Sequence, residues 1–222
     1  MKMMFRRYCV AFTIAAVFSL TACAPRITVT ALGADKAELA FEAGFSRATE
    51  QTLKSIMGAV AGGANADAPL VTADDMSTIM RRAGLQDVTA SAEGTNVATR
   101  GTIPRVSQSA LAAAGILGLS QNSLTLTLGS AQLQALYALL DEETQAYFDL
   151  LMIPALSDET LSPAEYAELL ASVYGPALAK ELTESPCVIT LAAPNGKKTS
   201  TARLTLGELL TLTAERRWSV NW

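Results

Sequence analysis

The sequence predicts an α+β fold, in which hairpins build an antiparallel sheet and helices pack on one side of it, within a single domain. Half of the 222 residues are apolar and 17% are charged, a composition typical of a folded globular chain. Apolar and polar residues alternate in short paired segments, and segments with helical spacing and recognisable caps lie between the pairs. This arrangement favours helices segregated to one side of an antiparallel sheet.

Three hairpins and two single strands are predicted. The strand pairs are 26–32 with 36–43, 87–93 with 96–103, and 187–193 with 198–206. In the third pair, Asn195-Gly196 favours a type I′ turn and is the strongest hairpin signal in the chain. The single strands are marked by alternating large apolar residues, namely Leu124, Leu126 and Leu128 in one and Trp218, Val220 and Trp222 in the other.

Four helical segments have readable ends. They are 72–84, 130–140, 141–153 and 162–184, the last interrupted at Gly175-Pro176. Gly84 fits a left-handed cap, and Ser130 and Asp141 are expected to cap the next two helices. Ser162-Pro163-Ala164-Glu165 is a capping box with proline at the first helical position. Residues 58–68, mostly glycine and alanine, predict a loop.

The amino-terminal segment combines positive charge with a short apolar run. Lys2, Arg6 and Arg7 lead into the predominantly apolar residues 8–20, whereas a membrane-spanning helix needs about 20 such residues. The segment therefore predicts a secretory signal peptide rather than a permanent membrane helix. The residues that end it, Leu20-Thr21-Ala22-Cys23, resemble the lipobox of bacterial lipoproteins.

That resemblance implies a signal peptide at residues 1–22 and a mature lipid-anchored domain at residues 23–222. The Cys23 thiol would carry a diacylglycerol and its new amino group a further acyl chain such as palmitate, so a membrane is the expected partner. Two or three acyl chains on one residue anchor a protein stably without a transmembrane segment. Ala24, in place of an aspartate, favours the outer over the inner membrane of the cell envelope. The alternative is that Cys23 is only a small residue in a leader.

Charge and residue types exclude several classes of function. Residues 1–22 hold three basic and no acidic residues, so the mature chain keeps 14 basic against 21 acidic residues, a net charge of −7. Such a body disfavours nucleic acid as a partner. Histidine is absent and the cysteines are Cys9, Cys23 and Cys187, so no His-dependent metal site or Ser-His-Asp triad can form within the chain. No metal and no cofactor are expected.

A second resemblance covers about half of the mature chain, from Leu124 onwards. The segments 147–154, 162–166 and 172–176 are similar to those of uncharacterised spirochaete lipoproteins, with treponemal ones nearest. The shared spacing is a helical hairpin signature rather than a chemical motif. The resemblance implies lipid anchoring in the envelope and supplies no catalytic residues.

The mature chain offers few candidate functional side chains. Tyr147, Phe148, Tyr166 and Tyr174 enrich the helical region in aromatic rings and predict either a pocket for an apolar ligand or, the favoured interpretation, ordinary core packing. Asp141 and its two acidic neighbours are interpreted as capping a helix rather than binding calcium. Cys187, with no basic residue beside it, is interpreted as a small buried residue rather than a nucleophile.

Three functions are compatible with these observations. The leading hypothesis is a non-enzymatic envelope lipoprotein whose anchored body binds another envelope protein or acts as a scaffold. The second is a carrier of a lipid or another apolar ligand, held between the sheet and the aromatic helices. The third is a hydrolase that uses Asp, Glu or Ser with Lys, for which no sequence motif selects the residues.

Overall fold

The three predicted hairpins form one six-stranded sheet. The structure, a computed structural model, describes residues 24–60, 71–157 and 159–222. Its strands are β1 (Arg26–Ala31), β2 (Ala37–Gly44), β3 (Gln86–Glu93), β4 (Asn96–Ile103), β5 (Leu117–Leu119), β6 (Ser123–Leu128), β7 (Pro186–Ala192), β8 (Thr199–Thr205) and β9 (Arg216–Asn221). The order across the large sheet is β3-β4-β2-β1-β7-β8. Asn195 and Gly196 both have positive φ, as a type I′ turn requires.

Helices occupy the connections between the strands. They are α1 (Arg47–Val60), α2 (Ala73–Arg82), α3 (Ala110–Ala113), α4 (Ser130–Tyr137), α5 (Glu142–Leu150), α6 (Pro154–Ser157), α7 (Pro163–Tyr174), α8 (Pro176–Glu184) and α9 (Leu206–Leu210). Helices and sheets share one domain, so the predicted α+β class is confirmed.

One strand pair of the large sheet is parallel. The hairpins themselves are antiparallel, and β2 also pairs antiparallel with β4, but β1 and β7 run in the same direction. β1 and β7 are each the first strand of a hairpin, and they lie side by side in the sheet. The two hairpins are therefore joined through a parallel strand pair. The sheet is therefore mixed rather than purely antiparallel, because hairpin signals specify pairing within a hairpin and not between hairpins.

The two single strands predicted from alternation belong to a second sheet. β5, β6 and β9 form a three-stranded antiparallel sheet whose strands β6 and β9 contact β7 of the large sheet. Leu124, Leu126 and Leu128 on β6 are all buried, and they share one hydrophobic core with Ile189 and Leu191 of β7. The face of the large sheet that carries Ile189 and Leu191 is thus covered by the small sheet, while α2 contacts β3 and β4.

The opposite face of the large sheet carries polar and small side chains. Thr28, Thr30 and Thr190 are half-buried there, and Arg100 pairs with Glu38 at 3.7 Å between Nε and Oε1. Strict alternation along each strand produces this division, because neighbouring side chains point to opposite faces.

Most predicted helix ends are confirmed at the level of single hydrogen bonds. Thr72 and Ser162 each form a capping box, and the Asp141 side chain accepts a hydrogen bond from the Thr144 backbone N–H. The prediction for Ser130 is wrong. Gly129 occupies the N-cap position of α4, and the Ser130 hydroxyl instead donates to the Ala155 carbonyl at 2.8 Å, which ties α4 to α6.

The start of the glycine- and alanine-rich segment is helical rather than loop. α1 continues to Val60, so Gly58 lies inside it, whereas residues 61–68 of the predicted loop fall outside the described residues. Leu53 and Ile56 of α1 pack against a second hydrophobic cluster formed by α7 and α8. Tertiary packing of this kind offsets the cost of about 1 kcal/mol that a glycine imposes on a helix.

Candidate functional site

The predicted lipid attachment residue lies immediately before the folded domain. Cys23 and the predicted signal peptide fall outside the described residues, and Ala24 is the first described residue. Pro25 is buried, and its carbonyl accepts a hydrogen bond from the Val188 N–H of β7 at 2.9 Å. The chain is therefore fixed to the centre of the large sheet two residues after Cys23.

Two of the four predicted aromatic residues meet in the second hydrophobic cluster, formed by α7 and α8 and called the helical cluster from here on. Tyr166 is fully buried and packs with Leu170, Leu178 and Leu182, while Tyr174 lies partly buried against the same cluster. Phe148, by contrast, is 37% exposed. Tyr147 belongs to α5, but its side chain is outside the described part of the structure.

The hydroxyls of Tyr166 and Tyr174 both bind backbone carbonyls at the end of α5. The Tyr166 hydroxyl donates to the Leu151 carbonyl at 2.9 Å, and the Tyr174 hydroxyl donates to the Leu150 carbonyl. The last carbonyls of a helix have no partner within it, so these bonds satisfy groups that would otherwise be unpaired. Burial, with a smaller contribution from Tyr174, raises the pKa of Tyr166 far above its ordinary value. The hydroxyl therefore stays protonated and acts as a donor that holds α7 against α5.

A carboxylate cluster that the sequence did not reveal joins α8 to the start of α1. The Glu181 side chain accepts hydrogen bonds from the Ser46 N–H at 2.6 Å, from the Ser46 hydroxyl at 2.5 Å and from the Thr49 hydroxyl. Burial raises the pKa of Glu181, but these hydrogen bonds lower it more, and the pKa lies below its ordinary value of 4.5. The Glu181 side chain is thus ionised, and both of its oxygens accept hydrogen bonds. This arrangement is suited to holding two helices together rather than to removing a proton from a substrate.

Local sequence could not have identified this cluster. Ser46 and Thr49 have the spacing of an N-cap, and the Thr49 N–H does donate to the Ser46 hydroxyl oxygen at 3.1 Å. Glu181, however, is 135 residues away from Ser46 and looks like an ordinary charge on an amphipathic helix.

Two open grooves lie on the surface of the described residues. One, of about 550 Å³, is lined by Glu50, Lys54, Thr72, Ala73, Asp74, Ala92 and Gly94. The other, of about 440 Å³, is lined by Arg82, Gly84, Gln86, Pro104, Arg105, Gln108, Ser109 and Ala110. The predicted aromatic residues line neither groove. In the first, Lys54 and Glu50 already pair with each other at 2.9 Å.

The thiol of Cys187 is inaccessible. Cys187 is fully buried at the start of β7, as predicted, and burial raises the pKa of its thiol to about 11. A neutral, enclosed thiol is a poor nucleophile. Among the residues that the structure describes, no group of three His, Cys, Asp or Glu side chains is placed to hold a metal ion. No helix within the described ranges is both long enough and apolar enough to cross a bilayer.

Comparison with known proteins adds no relative. No family model, no curated protein and no solved structure matches this chain.

Proposed function

We propose that this protein is a lipid-anchored lipoprotein of the bacterial cell envelope, attached through Cys23 to a membrane, the outer rather than the inner. The observation that carries the proposal is the order of the amino-terminal residues, in which three basic residues, a short apolar run and Leu20-Thr21-Ala22-Cys23 directly precede the domain. The resemblance of the carboxyl-terminal half to spirochaete lipoproteins supports the same location.

The anchored body is proposed to bind or scaffold another envelope protein rather than to catalyse a reaction. Two features support this role. The polar clusters around Glu181 and the buried tyrosines are engaged in joining helices, and the Cys187 thiol is enclosed. Each of these groups is better suited to holding the fold than to contacting a substrate.

Cell fractionation with a Cys23→Ser variant tests the anchor. The wild-type protein is expected to sediment with membranes and to partition into the detergent phase, because acyl chains supply the binding free energy, about 0.8 kcal/mol for each buried methylene. The variant is expected to remain unprocessed at the lipidation site. Equal sedimentation and equal processing of the two proteins would contradict the proposal.

The binding role requires a separate experiment. Chemical cross-linking in intact cells, followed by detergent extraction, is expected to give one reproducible partner with the anchored protein. A version secreted without Cys23, by means of a signal peptide that lacks a lipobox, serves as the matched control and should lose the partner if that partner is membrane-bound. Absence of any cross-link, together with an unchanged envelope on deletion of the gene, would contradict the binding role.

A further inference from the structure

The outer edge of strand β3 is unpaired within the described residues. β3 is the first strand in the order across the large sheet, and β4 is its only partner among the described strands. The β3–β4 hairpin has a two-residue turn, so the pair that closes it, Glu93 with Asn96, is hydrogen-bonded. The backbone N–H and C=O groups of Val88, Ala90 and Ala92 therefore point away from β4. Such an edge is a template for another strand.

This edge is compatible with antiparallel pairing to β3 of a second copy of the chain. A two-fold axis through Ala90 places Val88 opposite Ala92 of the other copy, so the outward backbone groups of all three residues meet. The same register puts Thr89 opposite Ser91 on the polar face of the sheet. Hydroxyl side chains placed opposite each other form a favourable cross-strand pair.

The middle of β3 carries few of the features that protect sheet edges in monomeric proteins. Residues 89–92 read Thr-Ala-Ser-Ala and contain neither charge nor proline. The acidic residues near the two ends, Asp87 and Glu93, would face each other across the copies. However, the register of the β3–β4 pair shifts between Gln86 and Thr89, and Asp87 has a φ of 52°, which takes it out of a regular ladder.

Helix α2 packs on this edge strand and carries opposite charges at its two ends. It contacts both β3 and β4, and Asp74 lines one of the open grooves together with Ala92 and Gly94 at the end of β3. Asp74 and Arg81 are exposed, and neither side chain forms an ion pair with another described residue. Seven residues make two helical turns, so the two side chains lie on the same side of α2.

Antiparallel pairing of two copies brings these opposite charges together. The two-fold axis that pairs the β3 strands also makes the α2 helices antiparallel, with the start of one helix beside the end of the other. A helix that lies over both β3 and β4 would be about 10 Å from its counterpart, a normal distance for packed helices, because neighbouring strands are about 4.8 Å apart. Asp74 of each copy then lies within reach of Arg81 of the other, which gives two ion pairs across the axis.

We infer that two copies of this protein associate through the outer edge of β3, so that their large sheets continue as one sheet with the α2 helices antiparallel along the same interface. The inference goes beyond the proposed anchor and does not depend on it. Complementary charges at the interface offset the repulsion between two chains of net negative charge, which salt screens at longer distances. A second copy matches the charges at both ends of this edge, whereas an extended peptide of one charge would match only one end.

Exchange of charges on α2 tests the association. The full chain, extracted from membranes in a non-ionic detergent, is expected to show a concentration-dependent equilibrium between monomer and dimer in analytical ultracentrifugation. Asp74→Arg or Arg81→Asp alone places like charges at both contacts and should raise the dimer dissociation constant at least about tenfold. A mixture of the two variants should form mixed dimers, because opposite charges then meet at both contacts. Glu168→Arg, an equal change of charge at an exposed position of α7, is the matched control.

Cysteine cross-linking in membranes tests the register. Ala90→Cys places a thiol on the axis, where the Cα atoms of the paired residues should lie about 5.5 Å apart, so a short bismaleimide should link two copies. Glu93→Cys is the control on the same strand, since its two thiols would lie about 20 Å apart on opposite sides of the axis. The native Cys187 is fully buried and should not react. The protein without an added cysteine gives the background.

The outcomes separate this association from its alternatives. A chain that stays monomeric at all concentrations, or a dimer that both single variants leave unchanged, would overturn the inference. Equal cross-linking at positions 90 and 93 would overturn pairing through β3 in this register. A cross-link from position 90 to a different protein would show that the edge binds that protein instead of a second copy. Each result can be obtained whether or not Cys23 carries lipid, so failure of the association is distinguishable from failure of the proposed anchor.

Discussion

The sheet core and the helical cluster are stabilised by different means. The sheet core is built from buried aliphatic side chains on facing strands, with Val29, Ile189, Leu191 and Leu124 fully enclosed. The helical cluster has a smaller buried centre, around Tyr166 and Leu170, and adds side-chain hydrogen bonds to α5 and to the start of α1. The sheet core should therefore respond mainly to changes in volume, and the helical cluster to changes in hydrogen bonding and pH.

The largest expected effect is a cavity in the sheet core. Leu191→Ala removes a side chain that is 0% exposed and should lower the free energy of unfolding by about 3 kcal/mol. Leu32→Ala is the matched control, since Leu32 is 48% exposed and its loss should cost less than about 0.5 kcal/mol. Urea unfolding of both variants provides the comparison. Similar costs for the two leucines would contradict the assignment of the core.

The next effect concerns the carboxylate cluster, in which Glu181 accepts hydrogen bonds from Ser46 and Thr49. Glu181→Gln keeps the shape but removes the charge that binds the Ser46 and Thr49 donors, so we expect a loss of about 2 kcal/mol near neutral pH. Glu184→Gln, an exposed position on the same helix, is the control and should change stability by less than about 0.5 kcal/mol.

The same carboxylate cluster should make the stability of the protein fall at acidic pH. The pKa of Glu181 is lower in the folded state than its ordinary value of 4.5, so the charged group stabilises the fold at pH values above 4.5. That contribution is lost as the pH falls through the folded-state pKa. The stability difference between wild type and Glu181→Gln should accordingly shrink between pH 6 and strongly acidic pH. A stability difference that stays constant over this range would show that the Glu181 carboxylate does not accept these hydrogen bonds in the folded state.

Removal of one buried hydroxyl should have an intermediate effect. Tyr166→Phe leaves the Leu151 carbonyl without its donor and should cost about 1.5 kcal/mol. In Tyr137→Phe, the lost hydroxyl bond to Asp149 is exposed, and the cost should stay below about 0.5 kcal/mol. Thermal unfolding of the two variants is a direct comparison, and an equal cost would mean that water replaces both bonds equally well.

The smallest predicted effect is the loss of a helix cap. Ser162→Ala removes the acceptor for the Glu165 N–H at the start of α7 and should cost about 1 kcal/mol. Ser172→Ala, further along the same helix, leaves the cap intact and should change stability by less than about 0.5 kcal/mol. Hydrogen exchange of the first turn of α7 should increase only in the first variant.

The sequence predicted those parts of the fold that short-range patterns determine. The hairpin turn at Asn195-Gly196 and the capping box at Ser162 depend on residues within a few positions of one another, and both are confirmed. The parallel pairing of β1 with β7 joins residues more than 150 positions apart, and no local pattern encodes it. Glu181 and Ser46 were missed for the same reason. The lipid attachment at Cys23 stays a prediction, since that residue lies outside the described part of the chain.

The mass of the intact protein extracted from membranes tests the central claim most directly. If Cys23 is the lipid attachment site, the mature chain begins at that residue, and its mass exceeds that of residues 23–222 by a diacylglycerol and an amide-linked acyl chain. Treatment with a base that cleaves ester-linked fatty acids should then remove part of the excess. A mature chain that starts at any other residue, or one that carries no acyl mass, would contradict the account.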